Sequence, residues 1–267
     1  YTMDLLSITE NFICFKEDNC FKEDNCFKES IYADEVEQIG KETIYINLFN
    51  VEPILRLPRK LVYLNCSHYD LKELPELPDN LVYLYCYDNE LKELPDLPDS
   101  LEFLYCYKNK LETLPELPDN LKEINCFNNN LETLPELPNN LLDLYCYNNN
   151  LKSLPELPKS LLELNCYQNK IETLPELPVS LKELNCSENE LENLPKLNKN
   201  LRELDCSNNM LKSLPELPKR LKKINCFHNK IETLPELPVS LKKLNCSENE
   251  LETLPELHNN LRELDCS

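Results

Sequence analysis

Glycine is all but missing from this chain: Gly40 is the only one. A Gly-rich phosphate-cradling loop is therefore excluded, and the turns fall to Asn, Asp and Pro. Tryptophan is absent, and none of the 20 prolines precedes Pro53, which sets residues 1–60 apart from the rest of the chain. No run approaches the ~18 apolar residues that cross a bilayer as a helix. The start, Tyr1-Thr2-Met3-Asp4-Leu5-Leu6, has no basic n-region, so Met3 reads as the natural start and no signal peptide is expected. Bases are scarce. The net charge is −20, with 12 acids against 7 bases in residues 1–60 and 36 against 21 beyond. Such an excess keeps an extended protein soluble and repels polyanions, which excludes nucleic acid as a partner.

What the chain does have is a period. From Leu61 a block of twenty residues, LxxLxCxxNxLxxLPxLPxx, recurs without insertion through ten full copies to Asn260, and an eleventh runs from Leu261 to Ser267. Numbered from its first Leu, the block is apolar at slots 1, 4, 6, 11, 14 and 17: Leu101, Leu104, Cys106, Leu111, Leu114 and Leu117 in one copy. Slots 4 and 6 have the period of a short strand, with slots 3, 5 and 7 on the opposite face. Stacked copies predict a parallel sheet with ~4.8 Å between neighbours. Slot 9 is Asn in nine of the ten full copies, Tyr69 being the exception; its amide is expected to bond backbone groups of its own and the next turn. The Leu-Pro-x-Leu-Pro limb, as at Leu74–Pro78, excludes a long helix and predicts polyproline-like return limbs. One copy cannot bury enough apolar surface to fold alone, so neighbours must share the core.

These residues resemble the leucine-rich repeat, and the twenty-residue LPxLP form resembles the bacterial-effector subclass that includes YopM-like proteins and the IpaH and SspH ubiquitin ligases. The resemblance covers 61–267, with a degenerate copy at 41–60 through Ile44, Ile46, Val51, Ile54, Leu57 and Pro58. It implies a right-handed leucine-rich-repeat solenoid, a horseshoe with a parallel concave sheet and extended convex limbs. It also implies protein partners chosen by the variable slots. Slot 6 departs from the pattern, holding Cys where such repeats usually have Leu, Ile or Val, and nothing corresponds to the ligases' separate catalytic domain.

Of the 14 cysteines, eleven stand at slot 6 from Cys66 to Cys266. Their spacing permits disulfides by distance, but parallel in-register side chains point side by side, which suits the required dihedral poorly. We read them as a ladder of reduced thiols acting as small hydrophobes, which favours a reducing compartment and a cytoplasmic protein, the host cytosol if it is a secreted effector. Neither C-x-x-C pairs nor clustered His point to a metal, and no cofactor is expected. Cys14, Cys20 and Cys26 belong to a six-residue tandem, Cys-Phe-Lys-Glu-Asp-Asn, and residues 1–40 are expected to cap the first edge of the stack.

Aromatic residues are unevenly distributed. Tyr83, Tyr85, Tyr87, Phe103, Tyr105, Tyr107, Phe127, Tyr145, Tyr147 and Tyr167 occupy slots 3, 5 and 7 of the early copies, whereas Ser187, Ser207 and Ser247 take slot 7 later, with Phe227 the lone aromatic there. Aromatics gathered on one face are typical of binding hot spots, and they equally suit stacking between strands; the binding reading is preferred. A strip of Lys and Arg at slots 2 and 3 of the late copies, interleaved with Glu183, Glu203 and Glu263, reads as a mixed-charge solvated face. The acids repeated at slot 16 from Glu76 to Glu256 read as solvation. His68, His228 and His258 have no repeated nucleophile beside them, so no catalytic set emerges.

The expectation is a non-catalytic scaffold that binds a protein on its concave face. The alternative is the substrate-recognition arm of a ubiquitin-ligase-type effector, because the array stops within a strand at Cys266-Ser267. Edge-to-edge self-association through that last strand is a third expectation.

Overall fold

The computed structural model describes residues 44–47, 57 and 59–267; the expectations for residues 1–40 lie outside them. Twelve parallel strands form one sheet in sequential order. They are β1 (Ile44–Asn47), β2 (Leu61–Asn65), β3 (Tyr83–Tyr85), β4 (Phe103–Tyr105), β5 (Glu123–Asn125), β6 (Asp143–Tyr145), β7 (Glu163–Asn165), β8 (Glu183–Asn185), β9 (Glu203–Asp205), β10 (Lys223–Asn225), β11 (Lys243–Asn245) and β12 (Glu263–Asp265). Among the described residues there is no helix, and none therefore long and apolar enough to cross a membrane. From β2 to β12 every pair joins residues twenty positions apart, as in Leu104↔Ile124 and Ile124↔Leu144. This is the leucine-rich-repeat solenoid with its parallel sheet. The degenerate copy keeps a different count: Ile46 pairs with Leu64, a separation of eighteen, so Ile46 stands opposite slot 4 rather than slot 6.

The strands are shorter than the alternation suggests. From β3 onward only slots 3–5 form the strand, so slot 7 lies on the segment leaving the sheet. Slots 1, 4, 6 and 11 form the dry interior: Leu101, Leu104, Cys106 and Leu111 are wholly buried. Slots 14 and 17 sit nearer the surface, and Leu134, Leu137 and Leu174 only lean against the core. The proline limbs are extended, and each return is closed by a turn in which the slot 1 N–H donates to the slot 18 carbonyl, as from Leu101 to Pro98 at 3.0 Å.

The Asn of slot 9 clamps copies together, toward the preceding turn and not the next. Asn89 Nδ2 donates to Cys86 O at 3.0 Å in its own copy and to Cys66 O at 2.8 Å in the one before, while its Oδ1 accepts from Leu71 N at 3.0 Å. A second polar ladder, at slot 20, is not apparent from the period. Asn120 Nδ2 donates to Asp99 O at 2.8 Å, in the copy before, and Ser100 Oγ to Leu81 O at 2.6 Å, at the start of its own copy.

Turn chemistry also departs from expectation. Slot 8 is left-handed in every copy from Asp88 to Glu248, with φ between 50° and 55°. Asn and Asp take it in some copies, but so do Lys108, Gln168, Glu188, His228 and Glu248. Such residues give up about 1–2 kcal/mol there. Inter-copy bonds override that penalty: the Lys108 N–H donates to Phe127 O at 2.9 Å and the Glu188 N–H to Ser207 O at 2.9 Å.

The thiols from Cys66 to Cys246 are free and buried in a continuous ladder, while Cys266 is free and exposed. Burial pushes the Cys126 and Cys166 thiols up to about 12, so they remain neutral at physiological pH and their sulfur donates weakly, as from Cys66 Sγ to Tyr85 O at 3.4 Å. Because the thiolate is the reactive form, site-resolved alkylation of the native protein at pH 8 should modify Cys266 and leave Cys86 to Cys226 untouched until denaturant is added. Prompt labelling of Cys146 in the native state would contradict the dry ladder.

Candidate functional site

The outer face of the sheet is built from slots 3 and 5, and slot 7 borders it. Backbone register brings the early aromatics into rows, because an identical spacing at every copy sets equivalent side chains one strand apart. At slot 7 an unbroken row of rings runs Tyr87, Tyr107, Phe127, Tyr147, Tyr167. Successive centroids are 4.3, 4.4, 4.2 and 4.6 Å apart and the planes lie within 16° of parallel. At slot 5, Tyr85 stacks on Tyr105 at 4.6 Å, and at slot 3 Tyr83 stacks on Phe103 at 4.8 Å. Nine of the ten candidate residues stand in these stacked rows, while Tyr145 lies on β6, two strands from Tyr105 with Asn125 between them; the ten are not equally presented. Tyr85, Tyr105 and Phe127 are buried, and the others are half-buried. Stacking and presentation coexist.

The row of rings ends where the chemistry of slot 7 changes. In the late copies other than that of Phe227, Ser replaces the ring, and its hydroxyl donates to the Asn or Asp two residues earlier: Ser187 to Asn185 at 2.7 Å, Ser207 to Asp205 at 2.6 Å, Ser247 to Asn245 at 2.6 Å. A groove of about 840 Å³ lies over β7–β12, lined by Glu183, Asn185, Glu203, Lys223 and Lys243 among others. Its lysines are paired, Lys223 with Glu203 at 2.9 Å and Lys243 with Glu263 at 2.8 Å, as a mixed-charge face requires.

An acidic row runs from beside the rings into the groove: Glu123, Asp143, Glu163, Glu183 and Glu203 are in register on β5–β9, and sequence reasoning singled out only Glu183 and Glu203 of them. Aligning slot 3 down the copies would have found it. Burial pushes the Glu123 carboxyl up to about 7, opposed by a hydrogen bond from Tyr105 and reinforced by Asp143 and Glu163. Asp143 is raised too, chiefly by burial, with Lys182 opposing and Glu183 adding. Among the described residues no group of His, Cys, Asp and Glu is arranged to hold a metal ion. His68 forms an exposed pair with Asp88 at 2.6 Å, and the ring of His258, standing where every other full copy but that of Asn198 has Pro, bonds the Leu237 carbonyl at 2.7 Å.

Comparison with known proteins agrees with this architecture. The family profile of Leucine Rich repeats (2 copies) matches residues 199–239. No curated protein matches the chain in sequence. Among solved structures, YopM from Yersinia enterocolitica is 45% identical over 78% of this chain, with a TM-score of 0.77; the chain spans 47% of that protein's length. YopM from Yersinia pestis, a leucine-rich effector protein, is 34% identical over 84% of this chain and 82% of its own, with a TM-score of 0.52. The functional domain of InlJ from Listeria monocytogenes, described as including a cysteine ladder, shares the fold at 24% identity over 78% of this chain and 53% of its own, with a TM-score of 0.57.

Proposed function

Because the chain belongs to the bacterial-effector-type leucine-rich-repeat family, we propose that it is a non-catalytic scaffold that captures a protein partner on the outer face of its sheet, in a host cytosol. The ring row from Tyr87 to Tyr167, confined to one part of the array, supports this reading. A row needed only for stability has no reason to stop at Tyr167, since the strands continue to β12 with the same register. Ring edges also offer large contact area at low rotamer cost.

Serine is the residue the array itself places at slot 7, so Tyr107→Ser, Tyr147→Ser and Tyr167→Ser together should keep the fold. Each lost anchor is worth about 2 kcal/mol, and a pull-down from host cytosol with the triple variant should lose the partner that the parent chain retains. Equal capture by a folded triple variant would reject the aromatic face. The recognition-arm alternative is decided by the full reading frame, which must then encode a catalytic domain.

Self-association is a second reading, favoured by one observation: Leu254, Leu257 and Leu264 of the last turn are 37%, 44% and 39% exposed. Sedimentation should then show mass rising with concentration, and Leu264→Lys should abolish the rise. A mass independent of concentration would exclude it.

A further inference from the structure

Asn125 breaks the tyrosine row of slot 5. It stands in register between Tyr105 on β4 and Tyr145 on β6. Seven of the eight Asn or Asp side chains at slot 5 accept a hydrogen bond from the backbone N–H two residues on, as Asn65 does from Ser67 at 3.1 Å and Asn225 from Phe227 at 3.2 Å. Asn125 makes no such bond. It is wholly buried, and neither its Nδ2 nor its Oδ1 has a hydrogen-bond partner. A buried amide left unpaired is destabilising by about 1–3 kcal/mol per group, so its retention between two rings asks for a role other than packing.

The surroundings define what would satisfy it. Residues two apart on a strand share a face, so the amide opens onto the same side as the Glu123 carboxyl, with Asp143 and Glu163 next along that row. The Tyr105 hydroxyl bonds Glu123 and the Tyr145 hydroxyl bonds Glu163, so both rings lean the same way along the sheet, one toward Asn125 and the other away from it. Two strand spacings separate β4 from β6, roughly 9.6 Å, against the 4.6 Å of adjacent stacked rings; the amide between them is covered, so a planar group reaches it when the Tyr105 ring that leans toward it turns aside. A planar cation that donates to an amide oxygen, stacks on phenol rings and pairs with carboxylates is a guanidinium. An ammonium offers the charge without the plane.

We propose that the break in the tyrosine row at Asn125 is a recognition slot for an arginine side chain presented by a protein partner, with the guanidinium held between Tyr105 and Tyr145, bonded to the Asn125 amide and paired with the Glu123–Asp143–Glu163 row. The slot rests on the reading that this face binds protein and names the chemistry it selects.

Capped tri-arginine, tri-lysine and tri-citrulline peptides, titrated calorimetrically into the full chain, test it. The arginine peptide should bind about tenfold tighter than the lysine peptide, citrulline should be weakest, and the arginine peptide should shift the Asn125 side-chain amide resonances. Asn125→Tyr, which completes the row, should bring arginine and lysine to parity. Should that variant fold poorly, Asn125→Ala keeps the walls and the acids and should still lose most of the preference. Equal affinity of the parent chain for both cationic peptides, an unmoved Asn125 resonance, or a preference that survives both substitutions would overturn the slot. If the slot fails while the slot 7 serine variant still loses its partner, the scaffold reading stands alone.

Discussion

Replacing Asn149 with Ala should destabilise the array by roughly 3 kcal/mol: the buried Leu131 N–H is left unpaired, at about 1–3 kcal/mol, while the Cys126 and Cys146 carbonyls lose one of two donors, at about 0.5–1.5 kcal/mol each, and keep Asn129 and Asn169. Asn149 Nδ2 donates to Cys126 O and Cys146 O, both at 3.1 Å, and its Oδ1 accepts from Leu131 N at 3.1 Å. The same substitution at Asn249 removes equivalent bonds to Cys226 O, Cys246 O and Ile231 N. Asn249, however, is partly exposed while Asn149 is buried, so water replaces much of what is lost and the effect should be about half as large. Urea unfolding followed by far-ultraviolet circular dichroism measures both. Equal effects at the two positions would mean that the ladder acts through local turn geometry rather than through buried polar satisfaction.

The second large effect is on pH dependence. The fold holds the Glu123 carboxyl near 7, above its ordinary value of 4.5, so the native state favours the protonated form. The associated stability is complete below about pH 4.5 and is lost as pH rises through about 7. Glu123→Gln keeps an acceptor for the Tyr105 hydroxyl and carries no charge. It should match the parent at pH 4.5 and exceed it at pH 8, by at most roughly 3 kcal/mol, since each tenfold gain in proton affinity corresponds to about 1.4 kcal/mol. Lys122 does not relieve the charge, being committed to Glu102 at 2.6 Å. Thermal unfolding at the two pH values reads the difference. A variant no more stable than the parent at pH 8 would show Glu123 to be solvated and ionised.

The two effects come from opposite kinds of information. Asn149 is legible in the sequence, since a polar residue kept at slot 9 between apolar slots must satisfy backbone groups. The direction of its reach, to the preceding copy, depends on which side of the strand exit faces which neighbour, and no spacing encodes that. Glu123 is an ordinary surface acid by sequence. Its altered proton affinity arises because Tyr105, Asp143 and Glu163, all on other strands, converge on it.

The aromatic face shows the same division. Its members and their restriction to the early copies are plain from the period. That Tyr85, Tyr105 and Phe127 would be buried while Tyr147 and Tyr167 stay half-exposed was not, because burial depends on ring tilt and on the short three-residue strands that leave slot 7 outside the sheet. The left-handed slot 8 was hidden for a related reason. Lys108 and Glu188 have no preference for that backbone region, and bonds from neighbouring copies hold them there.

Sequence alone determined the solenoid, its parallel register, its dry column of Leu and Cys and the positions that look outward, because a period of twenty repeated ten times makes every local choice agree with its neighbours. Tertiary structure alone decided how those outward residues are used: which rings are covered, which carboxyl keeps its proton, and why Asn125 stands without the bond that its seven counterparts make. Periodicity places side chains in rows, but the interactions along a row depend on distances between residues that the period treats as equivalent.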